Sequence, residues 1–144
     1  MSDRPTVASQ PGDWRAWLSR ARGNLARARQ PKPPEGFWED LCFDCEQAAE
    51  KAIKAVLVAR GIRFRKVHDL EELFAEAQRA GVSVPADVRQ TVPLSDFSIG
   101  VRYPGHGVPL NERDFQEALS MAEIVVSWAE GVLASEQRAH KRNL

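Results

Sequence analysis

Between Ser98 and Leu110 the chain reads SIGVRYPGHGVPL, and three side chains in it have types suited to joint chemistry: Arg102, Tyr103 and His106. Arginine presents a fixed fork of donors that matches a phosphate. Histidine is the side chain whose unperturbed pKa lets it give and take protons near neutrality. Tyr103 is the only tyrosine in the chain. Gly105 and Gly107 would let the backbone approach a ligand closely. A long structureless connection inside a small domain is uncommon and often functional. The purely structural account is a packed turn, with Arg102 paired to a carboxylate and His106 in solvent.

His68 follows Arg63 at a spacing of four intervening residues, ahead of a helical stretch. Its plain role is a cap or a core edge, and it matters chemically only if it converges with the later loop. Cys42 and Cys45 form a C-x2-C pair, but both lie on the apolar arc of a long helix. A redox pair needs a helix N-terminus to lower the thiol pKa, and a zinc site needs about four ligands. Buried structural thiols are therefore expected, with no metal. Walker A, dinucleotide-binding, HExxH and nucleophile-elbow motifs are absent. That leaves metal-free acid–base chemistry or binding.

The elements that must position these residues are helices. Phe37 to Gly61 reads FWEDLCFDCEQAAEKAIKAVLVARG, rich in strong helix formers and without proline. Leu41, Cys45, Ala48, Ala52, Val56 and Ala59 fall on one line at roughly 100° per residue. Cys42, Ala49, Ile53 and Leu57 widen the apolar arc to about half the circumference, which suits a central helix touching two or three neighbours. Its polar edge carries Glu46, Gln47, Glu50, Lys51 and Lys54, which read as ordinary helix surface on their own.

Before it, Asp13 caps a helix bearing Trp14, Trp17, Leu18, Ala21, Leu25 and Ala28, stopped by Pro31, Pro33 and Pro34. After it, Leu70, Leu73, Phe74 and Ala77 mark a helix ended by Gly81, and Pro85 opens a short one, PADVRQTV, that Pro93 ends or kinks. Asn111 and Asp114 form a capping-box pattern for the last helix, whose apolar face runs from Phe115 to Leu133. No stretch alternates with period two. The expected fold is all-α, an up-and-down four-helix bundle with an additional short helix. Residues 1–11 read as a flexible tail, 12–135 as the bundle and 136–144 as a frayed tail.

The chain has 144 residues, with 20 Lys plus Arg against 20 Asp plus Glu, so net charge singles out no class of partner. Its distribution is uneven. Between Trp14 and Gln30 every charged residue is arginine, and Arg60, Arg63, Arg65 and Lys66 form a second basic cluster. Local positive fields of this kind attract phosphate, although acidic neighbours could equally balance them. The polar N-terminus does not read as a signal peptide, and no run approaches bilayer length. A soluble cytoplasmic protein is expected.

The first helix opening on tryptophan, the string Gln47-Ala48-Ala49-Glu50-Lys51-Ala52-Ile53-Lys54-Ala55, then His68-Asp69-Leu70 with Leu73, then Arg102-Tyr103-Pro104 and a long final helix together resemble the HEPN domain (higher eukaryotes and prokaryotes nucleotide-binding). The likeness spans roughly residues 13–134. It implies a helical bundle, usually a homodimer, and many prokaryotic members are paired with a minimal nucleotidyltransferase as toxin and antitoxin. The implied function is a nucleotide- or RNA-binding module acting with such a partner. Its ligand-binding residues would be Arg102, Tyr103, His106, His68 and Lys51, with no cofactor, no DNA and no membrane partner. One alternative is a metal-independent endoribonuclease with Arg102 and His106 as catalytic residues. There an RNA 2′-OH attacks, histidine handles the proton and arginine stabilises the phosphate. Such members use an Arg-x4-6-His motif; here three residues separate Arg102 from His106. A non-ligand-binding helical interaction protein is the other alternative.

Overall fold

Helix boundaries in this chain are set by a few side chains and two left-handed glycines. The structure is a computed structural model describing residues 12–64, 69–97 and 109–142. Helix α1 spans Trp14–Ala28, and its cap Asp13 accepts a hydrogen bond from the Arg15 N–H at 3.0 Å. Helix α2 spans Trp38–Ala59 and α3 spans Leu70–Arg79, the latter capped by Asp69. Both α2 and α3 close in the same way. Gly61 (φ +70°) and Gly81 (φ +88°) take the left-handed position, while the Ile62 and Val82 N–H groups reach back to the Leu57 and Ala77 carbonyls. Helix α4, Ala86–Arg89, is a single turn after Pro85.

The segment PADVRQTV does not continue as one helix to Pro93. It breaks after Arg89, and Val92–Phe97 forms a separate 3₁₀ turn that contains Pro93. Pro93 has no N–H with which to continue the α-helical hydrogen-bond ladder back to Arg89, so α4 does not run through it. Buried Thr91 stabilises the junction, its Oγ1 donating to the Val88 carbonyl at 2.6 Å.

Helix α5 spans Glu112–Arg142. Asn111 Oδ1 accepts from the Asp114 N–H and Asp114 Oδ2 from the Asn111 N–H, each at 2.9 Å, a reciprocal capping box. The helix continues past Leu133, where its apolar stripe ends, and Glu136 pairs with Arg60 at the end of α2. Within Glu112–Ala139 lies a stretch of mean hydropathy 1.3, apolar and long enough by composition alone to cross a bilayer. This corrects the reading that no run approaches that length. In the fold, Phe115, Ala118, Ala122, Val125, Val126, Ala129 and Leu133 are buried, and Glu123 and Glu130 pair with Arg29 and Arg22 of α1.

The four longer helices α1, α2, α3 and α5 make an all-α up-and-down bundle, with α4 as the additional short helix. Among the described residues there is no strand. Helix α2 lies in the middle, packed on α1, α5, α3 and the 3₁₀ turn. Ala48, Ala49, Ala52 and Ala55 on α2, with Ala21 and Ala28 on α1 and Ala118, Ala122 and Ala129 on α5, are fully buried. Such small side chains permit close helix approach. Ile53 and Leu57, also fully buried, contribute about 2 kcal/mol each by removal from water. Cys42 and Cys45 are buried free thiols, as the apolar arc predicts. The four tryptophans are partly buried against the core, and Trp128 Nε1 donates to the Ser83 carbonyl at 3.0 Å.

Candidate functional site

The polar edge of α2 is not ordinary helix surface. Glu46 is fully buried, and Glu50 and Lys54 are 3% and 6% exposed. Lys54 Nζ meets Glu50 Oε2 at 2.7 Å, and it lies over the rings of Trp17 and Phe64, 5.8 and 5.4 Å from their centroids. Gln47 Nε2 donates to Glu46 Oε1 at 2.9 Å and to Glu50 Oε1 at 3.2 Å. Glu46 Oε2 has no acceptor-type hydrogen bond. Burial foremost, then the neighbouring Glu50 charge, pushes the Glu46 carboxyl up to about 8. A proton on Glu46 turns the orphaned oxygen into a donor that Glu50 can accept. Glu50 in turn is salt-bridged to Lys54.

Along the other side of this edge runs a ladder to α1. Lys51 Nζ donates to Asn24 Oδ1 at 2.9 Å, Asn24 Nδ2 donates to Asp44 Oδ1 at 3.0 Å, and Arg27 binds Asp44 with its Nη2 at 2.8 Å. Residues rising along α1 meet residues falling along α2, so the two helices are antiparallel neighbours. Trp17, Arg20, Asn24 and Arg27 stand at successive spacings of three, four and three residues, which places them on one helix face. Lys51 loses proton affinity first through burial; Glu50 opposes this, Arg20 and Arg27 add to it, and Asp44 opposes it. Beside Lys51 a cavity of about 310 Å³ is lined by Ala16, Trp17, Arg20 and Lys51. Such a cavity, with an aromatic wall and two cationic groups, can take a planar group and an anion.

Of the residues singled out in the sequence, Lys51 is therefore placed at this ladder. Arg102, Tyr103, His106 and His68 lie outside the described residues, as do positions 1–11. Their flanks are described. Phe64, ahead of His68, packs edge-on against Trp17 with ring centroids 5.9 Å apart. The Leu70 N–H, just after His68, donates to Ser95 Oγ at 2.9 Å, and Ser95 precedes the 98–108 segment. At the far end of that segment the Leu110 N–H donates to Glu39 Oε2 in the first turn of α2 at 3.0 Å. Among the described residues no group of His, Cys, Asp and Glu could hold a metal ion. The two cysteines are unsuited to thiolate chemistry, since burial above all pushes both up to about 12, with nearby negative groups adding to it.

The family model described as HEPN domain matches residues 14–132. The chain belongs to the HEPN family. Two solved structures resemble this HEPN chain over most of their length. The crystal structure of TT1696 from Thermus thermophilus is 29% identical, with a TM-score of 0.75, covering 85% of this chain and 99% of that one. The crystal structure of ST0689, an archaeal HEPN homologue, is 30% identical, with a TM-score of 0.66, covering 82% and 95%. No curated protein matches the chain.

Trp17, Arg20 and Asn24 do not stand out in the sequence as candidate site residues, because the tryptophans read as core and the arginines as a diffuse basic run. Their shared face on α1 was the available signal. That signal gains its meaning from the fold, where Asn24 on the same face bonds Lys51.

Proposed function

We propose that this HEPN protein is a nucleotide- or RNA-binding helical module that acts with a minimal nucleotidyltransferase partner in a toxin–antitoxin-type system. The observation that carries the binding reading is the ladder between α1 and α2. Lys51 there bonds an amide rather than a carboxylate, next to the Arg20 guanidinium and an aromatic wall. The motif residues Arg102, Tyr103, His106 and His68 would join Lys51 at the ligand. The hydrogen bond between Leu70 and Ser95 supports that grouping, since it ties the residues flanking His68 to those preceding Arg102. The partner and the toxin–antitoxin role rest on the family resemblance. A homodimer in the cytoplasm goes with the same reading, two-fold dimers being the commonest assembly.

Calorimetry with nucleotides and short RNA, beside a pull-down with a neighbouring nucleotidyltransferase, tests the proposal. Binding of a nucleotide or RNA is expected, together with intact cellular RNA after overexpression. Recovery of a protein partner with no nucleotide or RNA binding refutes it in favour of an interaction protein. RNA cleavage and growth arrest that disappear in Arg102→Ala and His106→Ala refute it in favour of an endoribonuclease.

A further inference from the structure

Cavities lined by the described residues differ in charge. The one beside Pro85 and Trp128, about 500 Å³, is lined by acidic groups alone among its charged residues, Asp87 and Glu123. The one between Leu25 and Val126, about 470 Å³, holds Arg22 and Arg29, already paired with Glu130 and Glu123. The one beside Phe74, about 430 Å³, has one charge of each sign, Glu71 and Arg89, with Gln78 and Gln90 beside them. The cavity at Ala16, Trp17, Arg20 and Lys51 differs from these three in having cations and no carboxylate among its described lining residues.

We propose that this cavity binds one nucleotide unit, the base against Trp17 and the phosphate between Arg20 and Lys51. The inference rests on the nucleotide-binding reading above and names its ligand and place. Trp17 is held in place by a T-shaped contact with Phe64, centroids 5.9 Å apart, and by the Lys54 ammonium 5.8 Å from its centroid. Arg20 is exposed and has neither a hydrogen bond nor an ion pair among the described residues, so its planar fork is free for an anion. Lys51 uses one N–H on Asn24 and keeps two. Asp44, the carboxylate of the ladder, is already taken by Arg27 and Asn24. A phosphate in this position restores the proton affinity that burial takes from Lys51. The volume lies at the lower end of the range of about 300 to 1,000 Å³ for small-molecule sites, suited to one nucleotide rather than an oligomer. Trp stacking tolerates any base, so little base selectivity is expected.

The test is calorimetric titration of the full chain with AMP, adenosine and a short RNA bearing a 5′-phosphate. AMP is expected to bind, with adenosine at least about tenfold weaker for want of the phosphate contacts. Arg20→Glu and Lys51→Met should each weaken AMP by about tenfold or more. Arg20 is on the surface, so its variant folds even if Trp17→Ala does not. Competition of the 5′-phosphorylated RNA with AMP adds support and identifies an RNA end as the source of the nucleotide unit. AMP binding unchanged in Arg20→Glu and Lys51→Met overturns this pocket while leaving nucleotide binding intact. Absence of both AMP and RNA binding overturns the pocket and the broader reading together.

Discussion

Replacing Glu46 by glutamine should make the protein more stable at neutral pH, and the gain should grow as pH rises. In the fold this carboxyl is fully buried, faces Glu50, and is raised from 4.5 to about 8. Between these values the native state holds a proton that the unfolded chain releases. Stability from this group is thus fully present below the unfolded value and is lost as pH climbs toward the folded one. The limiting slope is a loss of about 1.4 kcal/mol per pH unit. Coupling to the neighbouring Glu50 makes the slope shallower than this limit, and a loss of about 1 to 3 kcal/mol is expected between about pH 5.5 and 7.5.

Glu46→Gln removes this term without removing the geometry. Its amide oxygen still accepts from Gln47, and its NH₂ donates to Glu50 in place of the carboxyl proton. Urea unfolding followed by circular dichroism at several pH values, on wild type and variant side by side, measures the effect. All other groups are common to the two proteins and cancel in the difference. The variant should match wild type near pH 4.5 and exceed it increasingly above. Parallel unfolding free energies across the range would refute the buried, protonated carboxyl.

Lys54→Met should cost about 3 kcal/mol, read as a lower urea midpoint, because it leaves the Glu50 charge buried without its ammonium partner. Adding Glu50→Gln should restore a good part of the loss; a double variant no more stable than the single one contradicts the pairing. Cys42 and Cys45 should be inert to a thiol reagent in the native protein and both react in denaturant, given their complete burial and pKa near 12. Rapid native labelling of either would rule that out. Asn111→Ala should lower stability by about 1 kcal/mol through loss of the α5 capping box; an unchanged midpoint would remove that cap from the account.

What the sequence shows well is whatever a single helix decides for itself. Asp13, Asp69 and Asn111 cap helices through bonds to residues two or three positions away, and Gly61 and Gly81 end them within one turn. The apolar stripes of α2 and α5 are legible for the same reason, and with them the bundle. The candidate site is not local in this sense. Glu46, Glu50 and Lys54 stand four residues apart, and on an isolated helix that spacing means a solvated ion-pair ladder. Lys54 is covered by Trp17 from α1 and by Phe64 beyond α2. Nothing within α2 distinguishes a covered ladder from an open one. The distinguishing sign is on the partner helix: Trp17, Arg20, Asn24 and Arg27 share one face of α1, and most of that face is polar. A polar face at helix spacing on both of two antiparallel neighbours means either two solvated surfaces or one seam. Lys51 bonded to Asn24 and Asp44 bonded to Asn24 and Arg27 make it a seam. Two of the four α1 positions, Trp17 and Arg20, line the cavity beside Lys51, and the other two, Asn24 and Arg27, close the seam to α2.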